Sequence, residues 1–172
     1  IHPNCRVNRV IEFLTESNAD RLLDGGFDYV VDAIDRTSIK ALIIAKCVQR
    51  GLPVITSGSA GGRRDATAVK LTDLGFAGAD MLLKGTRQNL RRDFGFAKSM
   101  EGRPMAFGVP CVFSTERAIY PQADGTCKLE PQEGTEAGLR LDCAAGFGAA
   151  TFVTGTFGFV LAGEVVRHLS GV

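Results

Sequence analysis

Two short apolar runs, residues 27–35 (FDYVVDAID) and 53–58 (PVITSG), flank a segment whose apolar residues Ile39, Leu42, Ile43 and Cys47 recur at helical spacing. Gly51 and Pro53 stop that helix, predicted over residues 38–50, before the second run begins. A strand, a helix of this length and a second buried strand make a β-α-β unit. Such units require a parallel sheet with right-handed crossovers. Upstream, residues 5–13 (CRVNRVIEF) read as a β-branched strand, and residues 17–23 as a helix capped by Thr15 or Ser17. The fold class is α/β, with a doubly wound, mainly parallel sheet.

After Gly62 the rhythm changes. Residues 69–74 predict a short strand, 79–94 a polar helix and 109–114 a further strand, and 116–138 read as a long irregular connection rich in Pro, Gly, Gln and Glu. No linker or internal repeat divides the chain. Its 172 residues, 45% hydrophobic and 23% charged, fit one folded domain and exclude a disordered or collagen-like chain. A net charge of +1 excludes a polybasic tail but allows local patches. Residues 12–35 hold seven acids against one base (Arg21), and residues 84–103 hold six bases against two acids. The five cysteines are odd in number and widely spaced, without a CxxC pair, which suits a reducing cytoplasm and gives a structural zinc site little support.

Residues 143–163 run 21 positions without a charge, long enough to span a bilayer, but their five glycines and the lack of flanking aromatic anchors argue for a buried helix. Ala150, Thr154, Gly158 and Ala162 recur every four residues, and this small-residue stripe is expected to pack in the core or against a second copy, with Phe152 and Phe159 filling neighbouring space.

Several residues admit both a chemical and a structural reading. Asp32 and Asp35 sit at the carboxyl end of a buried strand, where open α/β sheets bind ligands and a carboxylate can hold Mg²⁺ with phosphates; alternatively, Asp35 caps the next helix. The segment Ser57-Gly58-Ser59-Ala60-Gly61-Gly62 either presents successive N–H groups to an anion or makes a tight turn, and it is neither GxGxxG nor GxxxxGK[ST]. Lys84, Arg87 and Arg91 lie at i, i+3 and i+7 on one helical face, which serves an RNA backbone or is a solvated face. If a helix opens near Ala144, its dipole would favour a Cys143 thiolate; otherwise Cys143 is an inert core thiol.

Taken together, DYVVDAID, the helix that follows with Lys40, GLPVITSGSAGG, VPCVFSTE, YPQADGT and LDCAAGFGAATFVTGTFGF resemble the ubiquitin-activating-enzyme-like adenylyltransferase superfamily, and within it the bacterial branch that modifies tRNA. The resemblance implies a Rossmann-like fold with added antiparallel strands. It also implies an enzyme that uses ATP and Mg²⁺ to adenylate the threonyl carboxylate of threonylcarbamoyladenosine in tRNA, leading to cyclisation with net dehydration. On the matching positions Asp35 is the catalytic, metal-holding carboxylate, with Asp32 and Lys40 beside it at the nucleotide. Ser57, Gly58, Gly61 and Gly62 shape the substrate side, Lys84, Arg87 and Arg91 face the RNA, and Cys143 is the thiol at the family's position. Arg36 departs from the small polar residue usual there.

A homodimer, a sulfur-relay partner and a cytoplasmic location follow from the same resemblance. The superfamily's opening glycine-rich strand-turn-helix and its catalytic arginine have no counterpart in this sequence, which starts at Ile1 in what matches the third strand. Residues 1–172 are therefore expected to be the C-terminal portion of a single adenylation domain, missing its first βαβ unit and inactive alone. Two other readings stand beside this one: an adenylyltransferase acting on the C-terminus of a small sulfur-carrier protein, and a noncatalytic RNA- or protein-binding domain.

Overall fold

A computed structural model of the chain describes residues 2–122, 124–129 and 148–171. Four strands form its main sheet: β1 (Val30–Asp32), β2 (Val54–Ser57), β3 (Val69–Asp73) and β4 (Pro110–Ser114), in the order β1-β2-β4-β3. β1, β2 and β4 run parallel, with Asp32 opposite Thr56 and Thr56 opposite Cys111, and β3 is antiparallel to β4. The carboxyl ends of the three parallel strands consequently lie along one edge. A separate two-stranded ribbon pairs β5 (Tyr120–Pro121) with β6 (Cys127–Lys128).

Helices cover both faces of the sheet, which is why all four residues of β2 are buried. On one side lie α1 (Ala19–Leu23), α2 (Thr37–Gln49) and α3 (Met81–Asp93), whose Ile44, Leu83 and Leu90 pack with Val54, Val109 and Cys111 of the sheet side. α2 is apolar nearly all round and buries seven residues, whereas α3 is amphipathic and buries Leu82, Leu83, Thr86 and Leu90. α3 begins where the Asp80 side chain accepts a hydrogen bond from the Leu83 N–H, and α2 ends before Gly51, whose φ of +65° is open to glycine without strain. α4 (Thr151–Ser170) covers the opposite face, setting Val153, Phe157 and Leu161 on Ile55 and Val112.

Of the predicted β-α-β-α-β order the α-β-α-β part is observed, from α1 to β2, and four sequence expectations are corrected. Residues 5–13 form no strand, and Ile11 and Phe13 are 94% and 90% exposed. β propensity needs a pairing partner, and this segment has none among the described residues. α1 is preceded by Asn18 and not capped by Thr15 or Ser17; Asn18 Oδ1 instead accepts from the Thr15 N–H. The connection after Glu116 contains the β5–β6 ribbon.

The fourth correction bears on core packing of the small-residue stripe and not on its packing against a second copy: α4 starts at Thr151 after non-helical residues 148–150. It is buried along Val153, Phe157, Leu161 and Glu164, while Thr154, Gly158 and Ala162 face outward with Phe152 and Phe159. Branched and aromatic side chains bury more apolar area than the small-residue stripe, and they win the contact with the sheet. No helix among the described residues is long and apolar enough to cross a membrane.

Candidate active site

The turn from β1 into α2 is organised by a buried charge pair. Asp32, the last residue of β1, accepts a hydrogen bond from Lys40 Nζ at 2.7 Å, and both side chains are fully buried. Thr56, its neighbour across the sheet, donates to the same carboxylate oxygen at 2.7 Å and lies 3.1 Å from Lys40 Nζ. The other oxygen of Asp32 accepts the Ile34 N–H at 3.1 Å. Asp32 and Lys40, expected at the nucleotide, are thus brought together beneath the strand end, with their charged groups satisfying each other.

Asp35 stands one step further out, exposed at the carboxyl edge of β1, and it makes no hydrogen bond or ion pair among the described residues. The helix-cap reading of Asp35 does not hold, because Arg36 occupies the N-cap position of α2 and no side chain caps it. A carboxylate at this edge with no structural task suits Mg²⁺, which is typically held by one or two carboxylates together with phosphate oxygens. Among the described residues no group of three or more His, Cys, Asp or Glu is placed to hold a metal ion.

The glycine-rich loop after β2 is not an open anion nest. Gly58 N–H donates to the Val112 carbonyl, Ser59 N–H to Asp80, Gly61 N–H to the Ser59 hydroxyl and Gly62 N–H to the Gly148 carbonyl. Of the amides after Ser57, four already have partners. The loop is also packed tightly: a Cβ on Gly58 would lie 2.5 Å from an Asp80 carboxylate oxygen, and Gly62 has φ +68°. The amides of Gly58, Gly61 and Gly62 are thus already engaged, and Ser57, the buried last residue of β2, stands at the head of the loop.

Three residues that sequence reasoning missed hold this loop. Arg63, 3% exposed, donates to the carbonyls of Ser59, Ala79 and Glu116 and to the Asp80 carboxylate. Asp80, 4% exposed, also receives the Ser59 and Leu83 N–H groups. Glu116 accepts the Arg64 and Asp65 N–H groups, both at 2.8 Å. Burial alone would raise the Glu116 pKa, but those two amides and the Arg64 cation hold its carboxyl below the usual range. Asp80 carried one readable signal, an Asp immediately before a helix; nothing local marked Arg63.

The expected basic face is only partly available. Lys84 is exposed, but the Arg87 guanidinium donates to the Leu74 and Ala77 carbonyls, and Arg91 lies over the Phe107 ring at 5.3 Å while donating to Ala97 O. Burial, with Arg91 nearby, lowers the Arg87 pKa from its ordinary value. Cys143 lies outside the described residues, and the described α4 opens eight positions beyond it. Cys47 and Cys111 are buried in the core; desolvation pushes the Cys47 thiol up to about 11 and that of Cys111 further up. An open cavity of about 430 Å³ lined by Leu23, Phe27, Arg50 and Leu52 sits at the opposite, amino edge of the sheet, away from Asp35.

A mainly parallel sheet wrapped by helices on both faces, with an exposed carboxylate and a locked glycine loop at its carboxyl edge, defines a Rossmann-like α/β class. The chain belongs to the ThiF family, whose model matches residues 1–172. It is 44% identical over 170 residues to the tRNA threonylcarbamoyladenosine dehydratase of Escherichia coli (strain K12), covering 98% of this chain and 62% of that protein. Among solved structures, one described as TcdA (CsdL) superposes with a TM-score of 0.81 at 39% identity, over 98% of this chain and 60% of that one. The E. coli tRNA N6-threonylcarbamoyladenosine dehydratase TcdA in complex with ATP superposes with a TM-score of 0.78 at 37% identity, over 98% of this chain and 58% of that one. The chain thus spans about three fifths of the length of the relatives it matches.

Proposed function

We propose that this chain contributes to an ATP-dependent tRNA threonylcarbamoyladenosine dehydratase, in which the threonyl carboxylate of the modified adenosine is adenylated and then cyclises with net loss of water. The observation that carries the reading is Asp35: an exposed carboxylate at the carboxyl end of β1, unused by the fold, in a family whose relative binds ATP. Adenylation turns a poor oxygen leaving group into a good one. Mg²⁺ held by Asp35 would neutralise phosphate charge as that step proceeds.

The chain's own residues set the stage for this chemistry. Asp32, gripped by Lys40 and Thr56, fixes the Ile34 N–H and thereby the turn that presents Asp35. The loop from Ser57 to Gly62 forms the adjacent wall on the substrate side. Of the three expected basic residues on α3, Lys84 is the one with an exposed side chain for RNA phosphate, and Arg87 and Arg91 lend potential more than direct contact. Cys143 is held as the family-position thiol. A homodimer is part of the same proposal, supported by the apolar surface of Phe152 and Phe159, which are 61% and 81% exposed on α4. A sulfur-relay partner and a cytoplasmic setting belong to it as well.

The test supplies threonylcarbamoyladenosine-containing tRNA and ATP to a protein of the relatives' full length and follows loss of one water from the nucleoside by mass spectrometry. Asp35→Ala is expected to abolish turnover and Cys143→Ser to weaken it. Pyrophosphate exchange that depends on a small sulfur-carrier protein and ignores tRNA would overturn the reading.

A further inference from the structure

We infer that Arg63 is a positioning residue for the RNA-dependent step, because its one buried guanidinium ties together three segments that meet at the carboxyl edge. These are the glycine loop after β2, the head of α3 and the chain leaving β4. The inference rests on the proposed dehydratase reading. Arg63 is separated in sequence from its acceptors by 4, 16 and 53 residues, at the Ser59, Ala79 and Glu116 carbonyls, and its Nη2 is 3.0 Å from Asp80 Oδ2. Every described contact of this cation is to the scaffold of the wall, and both members of the ion pair are sealed from solvent at 2% and 0% side-chain exposure.

The geometry is one that a purely apolar filler would not need. Ala79 sits at φ +50°, a left-handed conformation disfavoured for a residue with a Cβ, and its carbonyl is one of those Arg63 holds. Gly62, adjacent to Arg63, receives the Ile119 N–H on its carbonyl and donates its own N–H to the Gly148 carbonyl. Moving Arg63 therefore shifts the wall at three points. The β1 turn with Asp35 has its own anchor in Asp32 and Lys40 and makes no hydrogen bond or ion pair to Arg63 among the described residues. The nucleotide carboxylate and the glycine wall are thus positioned by two separate buried ion pairs. Lys40–Asp32 serves the first, and Arg63–Asp80 the second.

Lysine at position 63 can keep the charge opposite Asp80 but cannot reproduce a planar fork reaching several carbonyls. The experiment compares Arg63→Lys with the parent in a protein of the relatives' length, measuring Mg-ATP affinity by calorimetry and the tRNA dependence of nucleoside water loss. A displaced wall is expected to raise KM for the modified tRNA by about tenfold or more. ATP affinity, governed by the independently anchored Asp35 turn, is expected to stay within about twofold.

Loss of both in parallel, or a lowered Tm and active fraction with KM for tRNA unchanged, would overturn the inference. If the parent protein itself shows no tRNA-dependent water loss, the functional reading falls and Arg63 is judged by amide hydrogen exchange. Faster exchange of Ser59 and Gly62 in Arg63→Lys, with β1 and β2 unchanged, then supports Arg63 as the anchor of the wall, the RNA-dependent part having fallen with the functional reading, and uniform change or none defeats the anchor as well. Where the lysine variant does not fold, Arg63→Gln is measured in the same way.

Discussion

Replacing Lys40 by methionine isolates what the buried pair beneath the strand end does. Its ammonium lies 2.7 Å from Asp32 Oδ2, and neither side chain has solvent access. At that separation and an effective dielectric near 20, the gross Coulomb attraction is about 6 kcal/mol, of which desolvation of the two ions cancels a large part. Lys40→Met removes the attraction yet leaves the Asp32 charge buried, with only the Thr56 hydroxyl and Ile34 N–H to satisfy it. Breaking a buried pair from one side costs about 3–5 kcal/mol, a large share of the roughly 5–15 kcal/mol available to a domain.

The double variant Asp32→Asn/Lys40→Met removes both charges, and Asn keeps an acceptor for the Ile34 N–H. It is expected to recover to within about 1–2 kcal/mol of the parent. Urea unfolding followed by circular dichroism, with linear extrapolation, measures both. A single substitution costing under about 1 kcal/mol, or a double variant no more stable than the single, would refute the reasoning that this pair is held by mutual charge satisfaction.

Asp35→Ala, by contrast, removes an exposed side chain and is expected to change stability by no more than about 0.5 kcal/mol while abolishing Mg²⁺-dependent ATP binding in a protein of the relatives' length; unfolding and calorimetry on the same sample check both halves. In native protein at pH 8, a thiol reagent followed by peptide mass spectrometry should label Cys5 and Cys127 rapidly and leave Cys47 and Cys111 unmodified, since burial withholds both access and the thiolate from the latter pair. Gly62→Ala forces a Cβ into φ +68° and is expected to destabilise the fold by about 1–2 kcal/mol, read as a lowered urea midpoint. The Glu116 pKa is depressed in the folded state, so its stabilisation is present above the unfolded value near 4.5 and is lost as pH falls through the folded one; Glu116→Gln should flatten the stability-versus-pH slope below that point.

Much of the architecture was legible because it rests on local periodicity. The helical spacing of Ile39, Leu42, Ile43 and Cys47 between two apolar runs forecast α2 flanked by β1 and β2, and hence the edge at which Asp35 would stand. The same periodicity misled at residues 5–13, where β-branched side chains have no partner strand among the described residues, and at α4, where spacing marked a small-residue stripe but not the face that meets the sheet. The glycine loop was visible as a loop. Its conformation was not, since Gly58 owes its lack of a side chain to Asp80, a residue from another element.

By itself the sequence determined the fold class, the order of the elements from α1 to β4, and the motifs that place the chain in its family. Tertiary structure decided which charges face each other. Lys40 was expected at a nucleotide and turned inward to Asp32, Arg87 and Arg91 turned to backbone carbonyls, and Arg63 found partners up to 53 residues away. Hydrophobic periodicity is written within one element. The partner of a buried charge is set by which distant segments packing brings alongside it, and by the desolvation that makes an unpaired charge there too costly to keep.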